Sequence, residues 1–406
     1  MTNKVIFFLA ALLLLQTSCK QSKTTNDARY LIVLSMDGFR KDYTEKSNTP
    51  NLDSIALIGV RAEGILPAFP SKTFPNHYTM ATGLYPDHHG IVNNSFMDPA
   101  TGLAYKMKDS AARLNPYFYG GEPIWVTASK AGLKTASFYW VGSELPIKDI
   151  QPDYWKKYDE SVSFEDRIDT LIYWLKLPKK NRPQLIMCYF HEPDAIGHKL
   201  GPESNETLLM VEYIDKLIGD LCRKISMLPY AKKIDLIFTS DHGMAQLSED
   251  RVINMREIIP DEWLETTMGE NPVFNVGAKQ GYLDSVFNRL QKTEHVKSWK
   301  NSDMLERYHY GTNPRTLDIT VEADLGWTIN WRKSNNYLYA QGTHGYDPDY
   351  PEMHAVFYAV GPSFKKGYLH PAFDNVNLYV LMAEILGLEP APNDGDLEKV
   401  INMLNR

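Results

Sequence analysis

The chain has 406 residues, which is long enough for one large α/β domain or two smaller domains. Hydrophobic residues make up 43% of the chain, so it can bury a sizeable core, and global disorder is excluded. The formal net charge of -7 argues against a nucleic-acid scaffold, which needs a basic face, but a small anionic ligand stays open because local charge can oppose the net charge.

The first residues have the pattern of an export signal. Lys4 precedes an apolar run over residues 5–15 that is too short for a stable membrane helix, and Cys19 follows shortly afterwards. This pattern is typical of a bacterial lipoprotein signal peptide that is cleaved before Cys19. Gln16 stands where an aliphatic residue is usual, so plain secretion remains an alternative.

We therefore expect residues 1–19 to be a signal peptide and residues 20–28 to be a polar tether. The protein is expected to be exported in a bacterium, as a periplasmic protein or a membrane-anchored lipoprotein. Membrane contact is expected only through a lipid on Cys19. The sequence leaves the membrane face and the oligomeric state open.

The body of the chain alternates apolar runs with helical patterns. Helical spacing follows Pro50 and also covers residues 165–177, 206–225 and 375–388. Such an alternation predicts an α/β fold with a doubly wound, mostly parallel central sheet and helices on both faces. The apolar runs suit strands that are buried on both faces, and they cover residues 30–38, 135–142, 184–194, 234–243 and 354–362.

Residues from about 247 to 335 break this rhythm, because short amphipathic pieces alternate there with polar loops. We interpret the segment as a cap inserted into a single domain over residues 29–406. The remaining cysteines, Cys188 and Cys222, lie in an apolar run and a helical pattern. They are predicted to be buried free thiols.

Potential metal ligands collect where the predicted strands end. In an open α/β sheet, ligands bind beyond the carboxyl ends of the strands. Carboxylate and imidazole ligands without thiolate are typical of catalytic zinc, and six of them are more than one tetrahedral ion needs, so the pattern favours two ions. The six candidates are Asp37, Asp194, His198, Asp241, His242 and His344.

A hydroxyl that could serve as a nucleophile stands in the same region. Two divalent cations would carry +4 and the three aspartates -3, and one deprotonated hydroxyl would neutralise the remaining +1. Thr73 is the candidate, because Pro75 suits the first turn of a helix and a helix N-terminus stabilises an anion. A bound metal would lower the pKa of such a hydroxyl further. We therefore expect Thr73 to bind a metal and to attack phosphorus.

Three further histidines, His77, His88 and His89, have no partner that the sequence identifies, and we interpret them as structural. Asp-Gly, Asp-His-Gly and Asp-x-x-x-His motifs are each, taken singly, more often turns or solvated faces. Their coincidence at several strand ends is what favours a site.

At these residues the sequence resembles the nucleotide pyrophosphatase/phosphodiesterase family of the alkaline phosphatase superfamily. The resemblance covers about residues 30–390 and implies an alkaline-phosphatase-like fold. It is carried by motifs that occur in the family's order: KTFPNHYTMATGLYPDHHGI (72–91), GEPIW (121–125), EPDAIGH (192–198), SDHGM (240–244) and GTHGYD (342–347).

The resemblance implies two zinc ions. One would be held by Asp194, His198 and His344, and the other by Asp37, Asp241, His242 and the nucleophile Thr73.

The resemblance also implies a substrate site. Asn94 and the Phe74 backbone N–H would steady a non-bridging phosphoryl oxygen. Phe74 and Tyr158 match an aromatic pair that sandwiches a nucleobase. Tyr189 and Trp140 would line the same pocket, although core packing is the alternative for both.

The implied activity is hydrolysis of nucleotide phosphodiester or pyrophosphate bonds through a phosphothreonine intermediate, with release of nucleoside monophosphates. Ser95 stands where some nucleotide-cleaving members have a lysine, which leaves contacts to the departing phosphates open. The alternatives are a phospholipid or glycerophosphodiester phosphodiesterase, a phosphomonoesterase or phosphonate hydrolase, and a metal-binding surface protein without activity.

Overall fold

The computed structural model describes residues 29–331 and 340–405. The predicted signal peptide and tether lie outside these ranges, as do the last residues of the predicted cap. Within the described ranges, no helix combines the length and the apolar character that crossing a membrane requires.

An eight-stranded sheet forms the centre of the fold. Its middle strand, Tyr30–Met36, pairs in parallel with Leu185–Phe190 on one side and with Ile234–Thr239 on the other. Phe357–Val360 pairs antiparallel with Ile234–Thr239, so the sheet is mostly but not wholly parallel. Across the sheet the order is Tyr368–His370, Val60–Ala62, Phe357–Val360, Ile234–Thr239, Tyr30–Met36, Leu185–Phe190, Thr135–Phe138 and Tyr154–Lys156.

Helices cover both faces of this sheet, which confirms the predicted doubly wound α/β fold. Alternate side chains of one strand enter two hydrophobic clusters: Leu31 and Val33 belong to one, and Ile32 and Leu34 to the other. Because both faces of each central strand are buried, the strand sequences are continuously apolar. The first cluster includes side chains of helices Thr73–Thr82, Ile124–Lys130 and Leu378–Leu386, and the second those of Pro50–Ile58, Phe164–Leu175 and Asn205–Ser226.

The strands end earlier than the apolar runs that predicted them. The first ends at Met36, and Gly38 follows with a φ of 67°, a left-handed conformation that glycine adopts without strain. The run over 184–194 leaves its strand at Phe190 and continues into helix Asp194–Leu200. The residues beyond each strand form the loops on which the candidate ligands lie.

A second sheet occupies the described part of the predicted cap. It has four antiparallel strands, and helix Leu283–Leu290 packs beside it. The order of its strands is Leu264–Glu270, Val273–Ala278, Ile319–Ala323 and Val296–Lys300. A third hydrophobic cluster, separate from the two of the central sheet, includes Val276 and Val321.

Both cysteines of the described ranges are free, as predicted, but only one is fully buried. Cys188 lies in a central strand, where burial raises the pKa of its thiol to about 12. Cys222 is only partly buried because it lies on helix Asn205–Ser226, which has an exposed face.

A buried acid joins the second sheet to the loop that carries His344. Glu322 lies fully buried in strand Ile319–Ala323, and its Oε1 accepts the Asp347 N–H at 2.7 Å. Its Oε2 has no hydrogen bond to any residue of the described ranges. Burial raises the pKa of Glu322 to about 7 although Lys297 and the Asp347 N–H oppose the effect, so ionisation above that pH leaves a buried charge that is only partly compensated.

We predict that Glu322→Gln stabilises the fold increasingly as the pH rises. The pKa of Glu322 is higher in the folded state than its ordinary value of 4.5, so wild type loses stability as the pH rises towards about 7. Glutamine keeps an acceptor for the Asp347 N–H and does not titrate. The free energy of unfolding in urea of Glu322→Gln, relative to that of wild type, should therefore rise by about 2 kcal/mol between pH 5 and pH 8.5. The exposed Glu265→Gln is the control, and a pH-independent effect of Glu322→Gln would contradict the prediction.

Candidate metal centre and substrate cavity

The strand ends bring the predicted ligands to one edge of the central sheet. Asp37 directly follows strand Tyr30–Met36, and Asp241 follows the neighbouring strand Ile234–Thr239 after one residue. The Gly38 N–H lies 3.3 Å from Asp241 Oδ1, so the two loops are in direct contact.

All six candidate ligands come together in two groups. Within each group, one nitrogen or oxygen atom of every member lies within 4.8 Å of the others. The rings of His242 and His344 stack with centroids 3.5 Å apart, so the groups are adjacent. The buried group consists of Asp37, Asp241 and His242, and the partly exposed group of Asp194, His198 and His344.

Backbone carbonyls orient the three histidines. Nδ1 of His198 lies 2.7 Å from the Gly342 oxygen, Nδ1 of His242 lies 2.8 Å from the Gly243 oxygen, and Nδ1 of His344 lies 2.7 Å from the Ser71 oxygen. A carbonyl oxygen only accepts, so each ring carries a hydrogen on Nδ1. In the neutral ring the lone pair is then on Nε2, as in metal-ligating histidines with an outer carbonyl partner.

One oxygen of each aspartate faces these lone pairs and accepts no hydrogen bond from the described residues. Asp37 Oδ1 lies 3.3 Å and Asp241 Oδ2 lies 3.0 Å from His242 Nε2, and Asp194 Oδ1 lies 3.7 Å from His344 Nε2. Buried polar atoms are normally satisfied. Unsatisfied carboxylate oxygens opposite imidazole nitrogens fit divalent cations.

The charges of the buried group are strongly coupled. Burial, together with repulsion from Asp241 and Asp194, raises the pKa of Asp37. Burial opposes the charge of Asp241, but His242 and His77 lower its pKa well below the usual range. Burial, then His242, lowers the pKa of His344. Asp241 in turn raises the pKa of His242 against its burial, but a single imidazolium leaves the carboxylates of the cluster with excess negative charge, which a bound cation would offset.

Thr73 adjoins the buried group. It is the first residue of helix Thr73–Thr82, and its Oγ1 lies 3.1 Å from His242 Nε2. Its hydroxyl is thus at a helix N-terminus and next to three candidate ligands, where an alkoxide would be stabilised.

Asn94 and the Phe74 backbone lie together beside Thr73. The Phe74 N–H donates to Asn94 Oδ1 at 3.0 Å, and Asn94 is 3% exposed. Residues 71–94 thus place a hydroxyl, a backbone N–H and a side-chain amide at one point of the cavity wall.

A cavity of about 880 Å³ opens from the metal ligands, a volume within the usual range of small-molecule sites. Phe74, Tyr158, Tyr189 and Trp140 all contribute to its lining. Tyr189 also donates its hydroxyl hydrogen to Asp37 Oδ2 at 2.6 Å. Trp140 is only 1% exposed, so it belongs mainly to the wall behind the cavity.

Sequence reasoning missed several residues of this site. Lys72 lines the cavity beside Thr73, and burial lowers the pKa of its ammonium group to about 8. Arg113 and Glu144 line the same cavity, 3.7 Å apart, and the Tyr158 N–H donates to Glu144 at 3.2 Å. Lys72 adjoins the predicted nucleophile, which was a usable signal, whereas nothing in the sequence linked Arg113 with Glu144.

The three histidines interpreted as structural occupy different environments. His88 is exposed and lies 2.7 Å from Asp394. His89 is fully buried and contacts the Thr79 hydroxyl at 3.0 Å. His77 differs from both, because its Nδ1 lies 3.2 Å from Asp241. Its position four residues after Thr73 puts it on the same helix face, and that spacing could have identified it.

Comparison with known proteins identifies relatives over nearly the whole chain. Residues 31–347 match the family model described as type I phosphodiesterase / nucleotide pyrophosphatase. Human bis(5'-adenosyl)-triphosphatase ENPP4 is 39% identical over 370 residues, which are 90% of this chain and 80% of that protein. Venom phosphodiesterase CdcPDE of Crotalus durissus collilineatus is 36% identical over 90% of this chain, which spans only 45% of the venom enzyme.

A solved structure gives the same result for the fold. Murine ectonucleotide pyrophosphatase/phosphodiesterase 5, as an inactive variant in complex with AMP, superposes with a TM-score of 0.88 at 34% identity. The match covers 93% of this chain and all of that chain. It confirms the expected alkaline-phosphatase-like fold.

We predict that Asp37→Asn stabilises the metal-free protein but reduces its stabilisation by zinc to that of one ion. The change relieves the repulsion among the buried carboxylates, so at pH 8 the free energy of unfolding of the chelator-treated variant should be about 1–2 kcal/mol higher than that of wild type. Wild type should gain about 3 kcal/mol for each ion at a free zinc concentration 100 times its Kd, and the variant should gain this only from the ion held with Asp194. Urea unfolding with chelator and with buffered zinc measures both effects. The exposed Asp250→Asn is the control and should respond to zinc like wild type; a full zinc response of Asp37→Asn would contradict the prediction.

Proposed function

The chain belongs to the type I phosphodiesterase / nucleotide pyrophosphatase family, and on that basis we propose that it hydrolyses nucleotide phosphodiester and pyrophosphate bonds, using two zinc ions. The proposal rests above all on one observation. The Thr73 hydroxyl lies at a helix N-terminus, 3.1 Å from His242 and beside unsatisfied carboxylate oxygens, at the inner end of a cavity.

Zinc suits the donor set, because its members are imidazole nitrogens and carboxylate oxygens without thiolates. When bound, the two ions would lower the pKa of the Thr73 hydroxyl and stabilise negative charge on the leaving oxygen. The group with Asp194 would hold one ion, and the group with Asp37, completed by Thr73 Oγ1, the other.

The proposed reaction has two displacements at phosphorus. In the first, Thr73 Oγ1 loses its proton to solvent and bonds to phosphorus as the bond from phosphorus to the leaving oxygen breaks, which gives a phosphothreonine. In the second, a water oxygen loses a proton to solvent and bonds to phosphorus while the bond to Thr73 breaks and Thr73 Oγ1 takes up a proton, which releases a nucleoside monophosphate and restores the threonine. The Asn94 amide N–H would donate to a non-bridging oxygen in both steps, and the Phe74 N–H, which in this structure donates to Asn94 Oδ1, would join it by exchanging that oxygen for the phosphoryl oxygen.

The nucleotide part of the substrate would occupy the cavity. Phe74 and Tyr158 both line it, and flat aromatic rings stack on nucleobases whatever the base sequence. The names of the relatives agree with this proposal, since one is a bis(5'-adenosyl)-triphosphatase and the solved neighbour holds AMP. Lys72 would add positive charge for the phosphate.

The inserted segment would act as a cap on this cavity. Residues 269–271, Phe274 and Trp331, which all come from the predicted cap, line the cavity, and the Asn271 carbonyl oxygen accepts a hydrogen bond at 2.6 Å from Lys72, which precedes Thr73. Such a wall would help to exclude water from the reacting phosphorus and to select the group beyond it.

For the first residues of the chain we keep the proposal of export, with a lipid on Cys19 as the anchor in a bacterial envelope. It is supported by Lys4, by the apolar run over residues 5–15 and by the position of Cys19.

We predict that Thr73→Ala lowers kcat for a nucleotide diester at least 10³-fold and leaves about two zinc ions per chain, because it removes the nucleophile but no protein side chain with a ring nitrogen or carboxylate. Thr73→Ser should recover part of the activity, since serine supplies the same hydroxyl. Steady-state rates on a nucleotide diester, a phosphocholine ester and a phosphate monoester measure the loss of activity. Metal analysis of each purified variant measures the zinc content. If wild type prefers the choline ester, the substrate is a lipid phosphodiester rather than a nucleotide. If Thr73→Ala keeps full activity, Thr73 is not the nucleophile.

We predict that Tyr158→Leu raises KM for nucleotide diesters about tenfold and leaves KM for a small aryl phosphodiester unchanged. Loss of one stacking face removes about 1–3 kcal/mol of binding to a base. Tyr173→Leu, which changes an exposed tyrosine outside the cavity, is the matched control. Equal effects of Tyr158→Leu on both substrates would argue against a base at this position.

A further inference from the structure

His77 lies behind the buried group of candidate ligands and has no solvent exposure. We propose that His77 is a positioning residue, which holds the Asp241 carboxylate and the Thr73 backbone in the arrangement that binds metal and directs the nucleophile. The proposal deepens the proposed function and in part rests on it, but its metal-binding consequence can be measured independently.

The hydrogen on Nδ1 of His77 faces two acceptors. Nδ1 lies 3.0 Å from the Thr73 carbonyl oxygen and 3.2 Å from Asp241 Oδ2. Neither oxygen can donate, so the hydrogen must be on Nδ1. The hydrogen bond of this N–H goes to Thr73, and its positive end also lies against Asp241 Oδ2, so it brings the first turn of the helix and the loop that carries Asp241 together.

The other ring nitrogen ties His77 to the central sheet. Nε2 lies 2.9 Å from the Ser35 hydroxyl, which donates to it in the neutral ring. Ser35 belongs to strand Tyr30–Met36, directly after which Asp37 lies. His77 therefore joins the strand, the helix and the loop that together build the buried group.

Aromatic neighbours prevent the ring from turning. Trp140 and Tyr189 pack edge-on against it, with centroids 5.2 Å and 5.1 Å away. The Trp140 indole N–H donates to the His77 carbonyl oxygen at 2.9 Å. The orientation of Nδ1 towards Asp241 is thus determined from several sides.

The oxygen of Asp241 that His77 approaches is the one that faces the candidate site. Asp241 Oδ2 lies 3.0 Å from His242 Nε2, whereas Oδ1 is near the Gly38 N–H. The Gly38 N–H and the Ser240 hydroxyl hold Oδ1, whereas His77 is the donor outside the ligand group that approaches Oδ2 in the described ranges. Without the His77 N–H, Oδ2 faces Asp37 with less to offset their repulsion, and its position is less well defined. Outer partners of metal ligands typically contribute 10–100-fold to affinity.

The effect should be confined to one of the two groups. The Nδ1 atoms of His198 and His344 lie against backbone carbonyls of Gly342 and Ser71, with which His77 shares no contact in the described ranges. Loss of His77 should therefore weaken the ion held with Asp241 and spare the ion held with Asp194.

Three substitutions separate positioning from packing. His77→Asn can place an amide N–H where Nδ1–H was, His77→Gln places its amide nearer the Nε2 position, and His77→Leu has no hydrogen bond at all. The matched control is His89→Asn, because His89 is equally buried in the same segment but contacts Thr79 rather than a candidate ligand.

Zinc and cobalt affinities would be measured by competition with a chelator, together with kcat and KM for a nucleotide diester. We expect His77→Gln and His77→Leu to lose 10–100-fold in affinity for one ion only and at least tenfold in kcat, with KM within about threefold of wild type. His77→Asn should recover most of both. His89→Asn should lose stability only.

The assignment of the weakened ion would come from an Asp194→Asn background, which leaves the group around Asp241 as the remaining complete one. There His77→Gln should weaken the remaining ion. Unchanged affinities in both His77→Gln and His77→Leu, or an equal loss in Asn, Gln and Leu variants, would overturn the positioning role. If wild type binds two ions yet cleaves no phosphodiester, the proposed function fails while the affinities still decide the role of His77.

Discussion

The mutual repulsion of three neighbouring carboxylates, two of them buried, is the constraint on which the rest of the site depends. Asp37, Asp194 and Asp241 point into one small volume, and burial and repulsion together raise the pKa of Asp37. Such a cluster is stable only if it takes up protons or cations. Against its own burial, the neighbouring Asp241 raises the pKa of His242, but one imidazolium does not balance three carboxylates, and burial and then His242 lower the pKa of His344. Divalent cations are therefore the simplest source of the missing positive charge. The surrounding hydrogen bonds would hold the carboxylates and imidazoles in position to bind such cations.

The fold meets this constraint by its topology. Parallel neighbouring strands end at the same edge of the sheet, so residues distant in the sequence, such as Asp37 and Asp241, arrive side by side. Helix Thr73–Thr82 begins at the same edge and directs its N-terminus, with its partial positive charge, at the cluster. The sheet is covered on both faces, so the loops that carry the ligands leave from a packed scaffold. The positions at which these loops begin are thus fixed by the core.

Much of this could be predicted from the sequence, for a physical reason. Strand ends and turn glycines are local signals, and they placed Asp37, Asp241 and His242 correctly at one edge. The lengths of the strands were overestimated, because apolar residues continue into the loops beyond Met36 and Phe190. The outer contacts could not be predicted, since they join segments far apart in the chain. His77 contacts Ser35 on one side and Asp241 on the other, and the sequence around His77 contains no motif that indicates either partner.

The two groups differ in exposure, and the difference suits the two halves of the proposed reaction. The side chains of Asp37 and His242 are 3% and 0% exposed, whereas those of Asp194 and His198 are 15% and 34% exposed. The proposed nucleophile, Thr73, adjoins the buried group, and it lines the same cavity as the more exposed group. In the proposed reaction, the more exposed group would be the one that the leaving group passes as it departs and that the hydrolytic water meets as it enters. The difference in exposure would thus assign the first displacement to the drier side of the site and the entry of water to the wetter side.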